Sequence, residues 1–186
     1  MNLYIGDLHF GHENVIRFDD RPFANVREMD SAMIRLWNQR AAKEDDVYIL
    51  GDFAFRNEHP FLWYLEQLAG RKHLIVGNHD QKLLKDPAAM SCFDSVECYM
   101  DLVDQKRRVI LCHYPMAEWN GFYRGSYHIY GHIHQRTDGA YQYMKQFDNA
   151  LNAAACINHY IPCSLEELSR NNQLFKEQNC ISGENE

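Results

Sequence analysis

The sequence predicts an α/β protein organised as a four-layer α/β/β/α sandwich, two packed mixed β-sheets with helices on the outside. Two observations carry this. Through the first half, short apolar runs ending in glycine alternate with helical patterns, a β-α-β-α-β order that implies parallel pairing with right-handed crossovers. The second half reads instead as a hairpin and further strands before one closing helix.

Each element has its own signal. Leu3-Tyr4-Ile5 is a short apolar run that stops at Gly6. From about Asn25 to Ala42, apolar residues at Val26, Met29, Met33, Leu36 and Trp37 recur at helical spacing. Val47 to Leu50 is the next strand, closed by Gly51. A second helix opens near Pro60, a favoured first-turn residue, carries Leu62, Leu65 and Leu68, and ends by Gly70. Leu74-Ile75-Val76 then runs into Gly77. Val96 to Val103 and Val109 to Cys112 read as a hairpin around Asp104-Gln105-Lys106, and Tyr127 to Tyr130 as a strand ending at Gly131. Thr137-Asp138-Gly139 predicts a tight hairpin turn, and Leu151 to Ile157 a further strand. Ser164, with Glu167 three residues on, forms a capping box for a last helix carrying Leu165, Leu168, Leu174 and Phe175, and residues after about 178 read as a frayed tail.

With no repeats, low-complexity tracts or Pro/Gly-rich linkers, the whole of 1–186 reads as one domain. Eleven Tyr, ten Phe and three Trp argue against disorder. A net charge of −7 makes the chain a poor generic binder of nucleic acid. Bound cations can reverse that inference, since the charge of an empty site misleads about the ligand it takes. The six Cys form no C-x-x-C pair, no apolar run approaches membrane-spanning length, and Leu3-Tyr4-Ile5 reads as a strand from the start. Reduced thiols in a cytoplasmic protein are the expectation, with no membrane partner. The Tyr- and Trp-rich loops are compatible with a homodimer.

The strong metal-ligand types gather at strand ends. Asp7 and His9 follow the first strand, Asp52 the second, Asn78, His79 and Asp80 the third, His113 the fourth, and His132 and His134 the fifth. In an open α/β sheet these ends form the rim where ligands bind. Carboxylate, imidazole and amide oxygen suit Mn²⁺, Fe²⁺, Zn²⁺ or Ni²⁺, and the neighbouring Cys112 should point to the opposite strand face. Asp7, His9, Asp52, Asn78, His113, His132 and His134 are too many ligands for one ion. They fit two ions that share a carboxylate and lie roughly 3.5–4 Å apart.

The ordered series D-x-H, G-D, G-N-H-D, H and G-H-x-H resembles the calcineurin-like metallophosphoesterases over residues 5–134, most closely their small, capless bacterial and phage forms. The resemblance implies a metallophosphoesterase-like sandwich that hydrolyses a phosphate mono- or diester on a small or nucleotide-like substrate. It implies that Asp7, His9 and His134 hold one ion, that Asn78, His113 and His132 hold the other, and that Asp52 bridges them, with manganese foremost as the metal. A hydroxide between the ions would attack phosphorus, while His79 would face the substrate as a catalytic proton donor. Asn78, Arg56 and His12 are candidate substrate contacts. One departure stands out, since the carboxylate that often orients the catalytic histidine is replaced here by Phe55.

Blander readings apply elsewhere. His59, His73, His128 and His159 read as ordinary histidines, Arg17, Arg21 and Arg35 as solvated, and Asp19-Asp20 and Asp45-Asp46 as loop and cap residues. Lys106-Arg107-Arg108 reads as a hairpin turn. Trp119, Phe122 and Tyr123 could stack on a nucleobase, but packing of their loop is favoured. The competing functions are a nuclease or cyclic phosphodiesterase on the same site, and a non-catalytic metal-binding scaffold. Retention of His79 and all seven ligands argues against the scaffold.

Overall fold

Side-chain alternation along the strands builds the layers. In β1 (Asn2–Ile5), Leu3 and Ile5 point into a core shared with helices, while Tyr4 points to the other side. The computed structural model describes residues 1–180. β1, β2 (Asp46–Ile49), β3 (Arg71–Ile75) and β4 (Phe93–Glu97) pair in parallel in that order, and Tyr4 adds an antiparallel bridge to Cys163 at the β1 edge. A second sheet takes β5 (Tyr99–Asp104), β6 (Arg107–Cys112), β7 (Tyr127–Tyr130) and β8 (Ala150–Asn152), with β5–β6 antiparallel and the other two pairs parallel. Between the sheets, Tyr4, Leu50 and Ile75 meet Val109, Leu111, Ile129 and Leu151. This is the expected sandwich.

The helices close the outer faces. α1 (Glu13–Phe18) precedes the long α2 (Val26–Arg40), which buries Met29, Met33 and Trp37 against the first sheet. Asn25 caps α2 by accepting from the Glu28 amide at 3.0 Å, and Glu28 returns a bond to the Ala24 amide at 2.9 Å. α3 (Phe61–Leu65) and the short α4 (Pro87–Met90) complete that layer. Over the second sheet, α5 (Ala140–Met144) contributes Tyr141 and Met144 to a cluster with Ile110, Trp119 and Tyr130. α6 (Leu165–Cys180) seats Leu165 and Leu168 in the inter-sheet core and Phe175 against the outer cluster. Its expected capping box is present, with Ser164 N donating to Glu167 Oε2 at 2.8 Å and Glu167 N to Ser164 Oγ at 3.4 Å.

Four expectations need correction. The run Val96 to Val103 is not one hairpin arm, because β4 and β5 belong to different sheets and only Cys98 separates them. Asp138-Gly139 makes no hairpin: Asp138 O accepts from Tyr141 N at 3.1 Å and starts α5. The strand expected over 151–157 stops at Asn152: the Ala153 amide still bonds Tyr130 O at 2.7 Å, but the Ala153 carbonyl and the Ala155 amide turn to Gly6, just past β1. The second helix is shorter than its apolar spacing suggests, tightening after Leu65 into i→i−3 bonds such as Leu68 N to Leu65 O. At the other end, α6 continues past 178 to Cys180, and the rest of the expected tail lies outside the described residues. Among the described residues no helix is long and apolar enough to cross a membrane.

Trp37 is buried and donates from Nε1 to Ala69 O at 2.9 Å, tying α2 to the turn before β3. Trp37→Ala should cost about 3–5 kcal/mol. Urea unfolding monitored by circular dichroism checks this, and a loss below about 1 kcal/mol would mean that Trp37 does not anchor the helix.

Candidate metal centre

The parallel register sets the site. With Ile5 opposite Ile49 and Ile49 opposite Leu74, the first three strands end side by side, and the chain beyond each turns across the same rim. Asp7 N bonds Gly51 O at 3.1 Å and His9 N bonds Asp52 O at 2.9 Å, so the loops after β1 and β2 run together. From the second sheet, His113 follows β6 directly, and His132 and His134 follow β7.

All seven sequence-predicted ligands converge there. Donor atoms of Asp7, His9, Asp52 and His134 lie within 4.8 Å of one another. Asp52 Oδ2 is 3.6 Å from His9 Nε2 and 3.7 Å from His113 Nε2, so this carboxylate stands between two groups of donors. In the second group, Asn78 Oδ1 is 3.0 Å from His113 Nε2 and 2.9 Å from His132 Nδ1.

The proton inventory of these contacts favours a cation. His113 Nδ1 donates to Leu50 O at 2.7 Å, so in the neutral ring Nε2 carries a lone pair aimed at the Asn78 oxygen. His134 Nδ1 faces Asp19 at 2.8 Å, which leaves its Nε2 lone pair 3.2 Å from His9 Nε2. Acceptors turned toward one another around buried carboxylates fit a divalent cation. Electrostatics agree. Burial pushes Asp7 up to about 6, with the neighbouring Asp52 charge adding to it, and burial holds His9 well below the usual histidine range. Burial also lowers His134, but the bond to Asp19 and the charges of Asp7 and Asp19 outweigh it and raise that ring overall.

Backbone geometry shows how tightly the rim is drawn. Asp7, His9, Asp52, His132 and His134 all adopt left-handed φ, between 51° and 69°. Such conformations are uncommon for non-glycine residues and cluster at functional sites. The preceding glycines matter for space more than for freedom. A Cβ on Gly77 would lie 2.4 Å from Asp52 Oδ1, and one on Gly51, itself at φ 81°, 2.5 Å from His113 Nδ1.

Several supporting residues escaped sequence reasoning. Asp80 does not face His79; its carboxylate takes the amides of Gly77 at 2.8 Å and of Asp52 and Phe53 at 2.9 Å, fixing the loop that carries Asp52. Asp19 is no simple loop residue, because it orients His134. Arg21 is buried rather than solvated: it pairs with Asp19 at 3.0 Å and donates to Asp7 O at 2.9 Å and Leu8 O at 2.8 Å. Asn152 donates to His134 O at 2.7 Å. Only proximity in space relates these groups, and no spacing pattern announces them.

The remaining candidates line a cleft of about 510 Å³ above His9, His132 and His134. His79 reaches it with its amide bound to Asp52 Oδ1 at 2.8 Å and its ring edge-on to Phe55 at 4.6 Å. His12 and Arg56 line it too, the Arg56 guanidinium lying 5.3 Å over the Phe55 ring. Trp119 takes the bland alternative: it is buried, with Nε1 donating to Ser126 O at 3.0 Å.

Residues 3–182 match the family model described as calcineurin-like phosphoesterase. The chain belongs to the calcineurin-like phosphoesterase family. It is similar to an uncharacterized protein of Methanocaldococcus jannaschii, 29% identical over 87% of this chain and 85% of that one. It is also similar to the Gene 66 protein of Mycobacterium phage D29, 30% identical over 72% of this chain and 78% of that one. Among solved structures, a protein of unknown function from Aquifex aeolicus superposes with a TM-score of 0.71, at 26% identity, covering 91% of this chain and 98% of that one. Calcineurin-like phosphoesterases are divalent-metal-dependent hydrolases of phosphate esters, and the Asp/His cluster of this chain fits that chemistry.

Gly77→Ala should displace the Asp52 carboxylate and cost this calcineurin-like phosphoesterase at least tenfold in Mn²⁺ affinity. Isothermal titration calorimetry measures it, and parent-like affinity would show that the tight approach at Gly77 is dispensable. Asp19→Asn keeps an acceptor for His134 but removes the charge. It should weaken Mn²⁺ binding by about tenfold, the lower end of what outer partners of a metal-binding histidine contribute; an unchanged titration would dismiss Asp19 from that role.

Proposed function

We propose that this chain hydrolyses a phosphate mono- or diester with the help of two divalent cations, manganese foremost, shared by Asp52. The observation that carries the reading is the place of Asp52 Oδ2, within 3.7 Å of both His9 Nε2 and His113 Nε2, each belonging to a different donor group. Asp7, His9 and His134 would hold one ion, and Asn78, His113 and His132 the other. Bound ions would supply an activated water and neutralise charge on phosphorus.

The chain's own residues supply the remainder. Hydrolysis breaks the bond between phosphorus and the leaving oxygen, adds water oxygen to phosphorus and delivers a proton to the departing alcohol. His79 faces the cleft with its backbone pinned to Asp52 and serves as the donor of that proton or of a hydrogen bond to a phosphoryl oxygen. Aromatic neighbours hold its ring, with Phe55 at 4.6 Å and His9 at 5.4 Å. Arg56 and His12 stand beside it, where a phosphoryl oxygen would arrive.

The test is a Mn²⁺-supplemented assay on p-nitrophenyl phosphate and its bis ester. Asp52→Asn should abolish turnover. His79→Ala should keep the metal content of the parent while losing roughly 10²- to 10⁴-fold in kcat, the range for a positioned proton donor. Parent-like turnover by Asp52→Asn with both ions bound would refute the bridging role.

A further inference from the structure

The cleft above the donor cluster is walled unevenly. Four rings run along one side of it in sequence. Phe18 meets His12 at 6.3 Å, His12 meets Phe55 at 4.9 Å, and Phe55 meets His79 at 4.6 Å, with interplanar angles between 63° and 74°. Arg56 lies over one face of Phe55, and His79 forms the inner end of the row. At the mouth, Phe18 closes α1 with 71% of its surface exposed, although α1 buries Val15 one turn earlier. The one carboxylate lining the cleft, Asp19, is engaged by Arg21 and His134, while Arg56 gives the rim positive charge and Arg136, which also lines it, pairs with Asp138 at 3.2 Å. At about 510 Å³ the space matches a small organic ligand rather than a bare phosphate.

We propose that this cleft selects phosphate esters whose alcohol carries a nucleobase, with Phe18 and His12 as the stacking platform beside the reacting phosphorus. An ester that brings phosphorus to the donor cluster through this opening can lay its organic group along the row of rings. A planar base gains from π-faces there, irrespective of its hydrogen-bonding edge, whereas a bare sugar gains little. The loop that buries Trp119 and exposes Tyr123 borders a separate hollow and takes no part. The inference rests on the hydrolase reading above and adds the substrate class.

The experiment compares adenosine 5′-phosphate with ribose 5-phosphate, and the methyl diesters of both, in Mn²⁺ buffer. Each pair departs through the same kind of primary alcohol, so intrinsic reactivity cancels and only the base differs. The nucleotide member should show at least a tenfold higher kcat/KM. Phe18→Ala, at an exposed position that does not threaten folding, should reduce that ratio by about tenfold, and Phe18→Trp should preserve it. Tyr123→Ala, on the other aromatic loop at 83% exposure, should leave both ratio and turnover as in the parent. A parent ratio near one, or a ratio indifferent to Phe18→Ala, overturns the platform while leaving the hydrolase intact. No metal-dependent turnover of any of these esters or of bis(p-nitrophenyl) phosphate overturns the hydrolase reading itself.

Discussion

Asp7 and Asp52 are buried side by side at the ends of adjacent parallel strands, and much of the rim is arranged around their negative charge. Taking carboxylates out of water is expensive unless each finds partners. Protein donors answer part of the demand. The His132 amide bonds Asp7 at 2.9 Å, and the His79 amide bonds Asp52 at 2.8 Å. The facing oxygens are met instead by imidazole nitrogens, and in His113 and His134 the opposite ring nitrogen is already engaged. The charge left over is what a cation would neutralise. That need explains why the histidines are held from behind, His113 by Leu50 O and His134 by Asp19. Held from the other side, the same rings would place a proton where a metal ion belongs.

The fold absorbs the conformational cost of this crowding. Each left-handed candidate ligand sits within two to four residues of the point where the backbone leaves a strand, and each turn is fastened. Asp80 gathers three amides of the loops after β2 and β3, Arg21 braces the carbonyls of Asp7 and Leu8, and Asn152 secures His134. The two hydrophobic cores flanking the first sheet fix the strands from which these loops spring. Stability of the sheet, strain at its edge and the placement of donor atoms are thus links of one chain.

The convergence of these seven side chains was legible in the sequence because Asp, Asn and His are chemically distinctive and each follows the end of an apolar run. The strand ends were legible for the same reason: Tyr127–Tyr130 was bounded correctly by its apolar run and Gly131. The switch between sheets at Cys98 was not, since Val96 to Val103 reads as one strand and no Gly or Pro marks the change. Asp138-Gly139 misled because tertiary packing of Tyr141 and Met144 recruits the turn as a helix start. Asp19, Arg21 and Asp80 carry ordinary charged identities in loops, and their roles come from neighbours far away in the chain. Phe18 and Phe55, 37 positions apart by their numbers, likewise form a wall only once α1 and the loop after β2 are folded together.

Diffraction from crystals grown with Mn²⁺, recorded at the manganese absorption edge, addresses the shared role of Asp52 most directly. Two anomalous peaks about 3.5–4 Å apart, one on each side of the Asp52 carboxylate and each in contact with its own histidine group, are the expected result. A single peak, or a pair that leaves Asp52 uncoordinated, would contradict it.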